Sequence, residues 1–65
     1  MKLSEEQIEQ LYAFVRKKGL MYIDLQDEMV DHLANAIEDQ MTENPEITFD
    51  KALQIEYKKF GVLKN

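Results

Sequence analysis

The stretch DLQDEMVDHLANAIEDQMT, residues 24–42, decides the fold. Placed on a helical wheel, Leu25, Met29, Val30, Leu33, Ala36, Ile37 and Met41 fall on one arc of about 160°. Asp27, Glu28, Asp31, Asn35, Glu38 and Asp39 take the opposite side. The spacing predicts an amphipathic helix over about 24–42 whose wet face is almost entirely acidic. Asp24 is the expected N-cap, with Asp27 and Glu28 near the positive end of the helix dipole. The start stays open by a turn, because Tyr22 and Ile23 also suit a helix. Asn44-Pro45 ends the segment, since a residue before proline is pushed out of the α region.

On the N-terminal side, Ser4 and Gln7 have the spacing of a capping box, and Leu3 and Ile8 that of a hydrophobic staple. Ile8, Leu11, Tyr12 and Val15 form an apolar stripe, which predicts a helix over about 5–18. Phe14 lies off that stripe and either widens the buried face or marks a contact surface. Gly19 suits a left-handed stop, with Leu20 folding back on Val15. On the C-terminal side, Thr48 is a natural N-cap, and Phe49, Leu53, Tyr57 and Phe60 form a third stripe, with Ala52 alongside. The third helix is expected over about 49–60, stopped by Gly61, with Val62 packing on Tyr57. No strand pattern competes. The expectation is an all-α, compact three-helix domain spanning 1–65, with 1–3 and 63–65 frayed.

Sixty-five residues suffice for one domain, and a chain this short buries only about 60% of the surface its unfolded form exposes. There is no cysteine, hence no disulfide or thiolate metal site, which suits a reducing, cytoplasmic setting. Met1-Lys2-Leu3 runs straight into Ser4-Glu5-Glu6-Gln7 without the apolar core of a secretory signal. No stretch approaches the roughly 20 apolar residues of a membrane span. The net charge of −5 is unevenly spread: +1 over residues 1–23, −8 over 24–46 and +2 over 47–65. So acidic a middle repels a phosphate backbone and argues against nucleic-acid binding. A DNA-reading helix-turn-helix also needs a basic recognition helix, and the third segment commits its aromatics to the core.

The candidate chemistry is thin. His32 is the lone histidine, at the border of the apolar arc, with Glu28 four residues before it and Asp39 seven after. A metal site or pH-sensitive pair would use these three, but zinc favours several histidines or cysteines. The di-iron Glu-x-x-His pattern fails because position 29 is Met. A histidine packed at a helix border, bonded to a neighbouring carboxylate or backbone group, explains the residue more simply, and neither metal nor cofactor is expected. Carboxylates spread along one solvated face lack the contrasting environments that acid–base catalysis needs. Both glycines read as helix stops, so no phosphate-cradling loop or nucleophile elbow remains. The aromatics Tyr12, Tyr22, Tyr57, Phe49 and Phe60 read as core, as do Met29 and Met41, whereas Met21 sits in a turn. The chain is therefore expected not to be an enzyme. Asp27, Glu28, Asp31, Asn35, Glu38 and Asp39 form either a solubilising face or a docking surface for a basic protein.

The residues Asp27-Glu28-Met29-Val30-Asp31-His32-Leu33, then Ala36-Ile37-Glu38, Phe49-Asp50-Lys51-Ala52-Leu53 and Phe60-Gly61-Val62, resemble the HAAS-type N-terminal helical domain of bacterial integral membrane proteins. Glu28, Asp31 and His32 match that family's acidic-His signature. The resemblance implies a cytoplasmic, regulatory or signalling module that precedes transmembrane helices, without catalytic residues. Here it would be an excised domain or a stand-alone relative, since no spanning segment lies within these residues. The leading expectation is a non-catalytic protein-interaction module presenting an acidic helix face. The competing class is a small stand-alone acidic effector that mimics nucleic acid and blocks a basic protein surface.

Overall fold

The computed structural model describes residues 2–59, and these form three helices: α1 over Glu5–Lys17, α2 over Ile23–Glu43 and α3 over Phe49–Lys59. Among the described residues there is no strand. Ser4 accepts from the Gln7 backbone N–H at 3.2 Å, and Gln7 Oε1 accepts from the Ser4 N–H at 2.9 Å. Both halves of the predicted capping box are therefore made. At the other end Gly19 takes φ 100°, and the Leu20 and Gly19 N–H groups donate to the Val15 and Arg16 carbonyls. This is the Schellman pair of bonds, which satisfies carbonyls that the helix leaves open. Thr48 Oγ1 accepts from the Lys51 N–H at 3.1 Å and caps α3 as expected. The Ile47 N–H closes the Asn44-Pro45 turn onto the Asn44 carbonyl.

α2 starts at Ile23, within the turn that the sequence leaves open, but Asp24 is not its N-cap. Its N-cap is Tyr22, which makes no side-chain cap bond, and Asp24 lies inside the first turn. What ties this end down is Gln26, which is buried and donates through Nε2 to the Leu20 carbonyl at 2.7 Å. The bond joins α2 to the end of α1 and satisfies an amide that would be costly to bury alone.

α2 is the central element. α1 packs on one side of it and α3 on the other, and backbone proximity between elements is confined to these two pairs. α1 and α3 meet through side chains: the Phe14 and Tyr57 rings stand edge to face at 4.9 Å, and Lys18 Nζ lies 5.3 and 5.7 Å from their centroids. Phe14 thus widens the buried face of α1. The three helices make a slab of 32 × 27 × 15 Å with a radius of gyration of 11.3 Å. A compact chain of this length is expected near 11 Å, by a rough scaling.

Leu11, Val15, Leu33 and Ile37 are the largest fully buried side chains, joined by Leu3, Val30, Ala34, Ala52, Leu53 and Tyr57. Three sequence expectations need correction. Leu3 is not part of a frayed end: its side chain is buried, and its N–H donates to Glu38 Oε2 at 3.0 Å. Leu25 and Tyr22 are not core, being 49% and 72% exposed. The buried arc of α2 runs through Gln26, Val30, Leu33, Ala34 and Ile37. It is turned toward α1 from the predicted arc by about 50°, half of one residue's angular step. Ala34 is buried on that side. Leu25 and Met29 are left at the edge. The expected contributions of Phe60, Gly61 and Val62, and the fraying of 63–65, lie outside the described residues.

Candidate functional site

The acidic surface of α2 divides by what each carboxylate faces. Asp27 and Glu38 lie on the side turned to α1 and are engaged there. Asp27 Oδ1 accepts from the Tyr12 hydroxyl at 2.7 Å, and Glu38 is half-buried on the Leu3 N–H. Acceptance by Asp27, then partial desolvation, then the negative charges of Asp27 and Asp31 hold the Tyr12 hydroxyl above its usual ionisation range. These two carboxylates bind the N-terminal segment and α1 to α2. The sequence placed them on a uniform wet face because nothing local marks an acceptor reached from another helix.

Farther round, Glu28 Oε2 lies 3.8 Å from His32 Nε2 in an i,i+4 pair, and both side chains are well exposed. An exposed pair of this kind contributes little to stability. Asp31, Asn35 and Asp39 are exposed and make no hydrogen bond or ion pair with any described residue. Their outward row follows from the 3.6-residue period on a helix whose opposite side is pinned in the core. Among the described residues, no three histidine or acidic side chains come together in a way that could hold a metal ion. Glu28, His32 and Asp39 are therefore not gathered as a ligand set. Every buried side-chain nitrogen and oxygen among the described residues has a hydrogen-bond partner. Buried Glu56, which the sequence reading passed over, accepts from Gln40 Nε2 at 3.0 Å and pairs with Lys59 Nζ at 3.5 Å. It fastens α3 to α2.

A second surface escaped the sequence reading except at Met21. Met21, Tyr22 and Ile23 are 74%, 72% and 71% exposed, and Leu25 continues the same patch. Beside them Leu20, Leu25, Glu28, Met29 and His32 line a shallow, mostly apolar groove of about 340 Å³. The signal was available as four large apolar residues crowding the turn after Gly19, where polar residues are usual. No described helix is long and apolar enough to cross a membrane. Compared with family models, curated proteins and solved structures, the chain matches none.

Proposed function

We propose that this chain is a non-catalytic protein-interaction module that uses the outward row of α2 to dock a basic segment of a partner protein. The observation that carries this role is the row itself. Asp31, Asn35 and Asp39 stand exposed, without a hydrogen bond or ion pair to a described residue, on a helix packed between α1 and α3. A stretch of eight carboxylates without one Lys or Arg, from Asp24 to Glu46, creates a field that steers a Lys/Arg-rich segment toward it. Like charges along one helix each destabilise it by a few tenths of a kcal/mol, and a basic partner relieves that repulsion. The resemblance to the HAAS-type domain adds a setting: a regulatory module on the cytoplasmic side of a membrane protein.

Anisotropy titration with a Lys/Arg-rich helical peptide tests this role. The Asp31→Lys, Asp39→Lys variant is expected to lose at least tenfold in affinity with unchanged helicity. The same charge change placed outside the acidic stretch, at Glu6 and Glu9 on α1, is expected to leave most of the binding in place. Equal losses in both variants would reduce the acidic face to a solubilising one.

A further inference from the structure

We propose that two copies of this chain pair through the α1–α2 turn, each setting Met21, Tyr22 and Ile23 against the other's groove along Leu20, Leu25 and Met29. Met21, Tyr22, Ile23 and Leu25 are between 49% and 74% exposed and consecutive but for Asp24, so they form one patch rather than scattered surface residues. They leave on the order of 500 Å² of mainly apolar surface in water, toward the upper end of the largest single patch on a typical monomer, a patch that is often functional. With the groove walls and the charged rim included, a two-fold contact comes near the roughly 800 Å² per partner of a standard interface.

The shape and the rim both point to a second copy. A projecting turn lies beside a concave strip on the same chain, which is what a self-complementary two-fold contact requires. Arg16, Lys17 and Lys18 precede the patch, while Asp24, Asp27 and Glu28 lie within and after it. A two-fold arrangement sets each basic cluster against the partner's acidic one. An anionic lipid surface would be attracted on one side and repelled on the other, and a uniformly basic protein would meet the reverse. Only a partner with the same mixed rim satisfies both sides. This contact is independent of the docking role of Asp31 and Asp39, which remain outside it.

Sedimentation velocity over a concentration series, with helicity checked by circular dichroism, reads the pairing. The parent chain is expected to show a reversible monomer–dimer equilibrium, and Ile23→Asp, at an exposed site, to weaken it at least tenfold. Arg16→Glu with Lys17→Glu makes one rim acidic but for Lys18, and Asp24→Lys with Glu28→Lys makes one rim basic but for Asp27. Each double variant alone is expected to be monomeric. Mixed, they are expected to form a heterodimer that Ile23→Asp abolishes. A parent chain that stays monomeric up to millimolar concentration overturns the proposal. Two further results overturn it by naming another occupant: flotation of the monomer with phosphatidylserine vesicles, or closure of an Ile23→Cys, Leu63→Cys variant into an intrachain disulfide. Dimerisation of either charge variant as strong as the parent's also overturns it.

Discussion

Gly19 sits at φ 100°, and an added Cβ there would meet nothing within 4 Å. The demand for glycine is therefore purely a backbone one. Gly19→Ala is expected to lower stability by about 1 kcal/mol in urea unfolding, with Gly19→Asn recovering part of the loss. Tyr12 gives a second reading at this scale. Its hydroxyl donates to Asp27, which raises its ionisation above the ordinary value, so the bond stabilises the fold below pH 10 and is lost as pH rises through the raised value. Ultraviolet titration of Asp27→Asn is expected to bring the Tyr12 step back toward 10. A step that does not move would place the cause elsewhere. Gln26 shows what single-residue reasoning misses. Its partner is the Leu20 carbonyl, across the turn, and a glutamine in a helical stretch carries no local sign of being buried.

At the scale of elements, the helix ends were the most legible part of the chain. Ser4/Gln7, Gly19/Leu20 and Thr48 each act within a few residues, so their bonds are written in the local sequence. Ser4→Ala is expected to cost about 1 kcal/mol, read as a lower urea midpoint with unchanged slope. The burial of α2 was less legible. Part of its apolar arc stays exposed, and the half that enters the core depends on which side of α2 the other helices cover. Leu33 lies in the covered half and is fully buried, while Leu25 is 49% exposed. Leu33→Ala is accordingly expected to cost about 3 kcal/mol, and Leu25→Ala a small fraction of that. Similar losses at both sites would contradict the observed rotation of α2.

The whole molecule is a slab 15 Å thick. The 21 residues of α2 run about 30 Å, so at low ionic strength the carboxylates along it all feel one another. Raising ionic strength from about 0.01 M to about 0.1 M shortens electrostatic reach from about 30 Å to about 10 Å. The monomer is expected to gain thermal stability across that range, because repulsion among the carboxylates of α2 is what is screened. A fall would mean that attraction to the basic ends dominates. Stability is of order 3–10 kcal/mol at ordinary per-residue values, so one core truncation removes much of it. Pairing through the turn would add buried apolar area that the single chain lacks. It would also present two acidic rows in one particle, so that a tandem basic partner binds more tightly than a single one.

By itself the chain's order of residues determined that there are three helices, where α1 and α2 begin and end and where α3 begins, each to within a residue or two, and that the middle one is acidic. These properties rest on backbone periodicity and on bonds between near neighbours. Only the packed structure decided which carboxylates of α2 are outward, since Asp27 and Glu38 are taken by Tyr12 and Leu3 from 15 and 35 residues away. It alone decided that Tyr22, Ile23 and Leu25 remain in water. Burial is set by which surfaces a neighbouring helix happens to cover, and that is a property of three helices together rather than of any one of them.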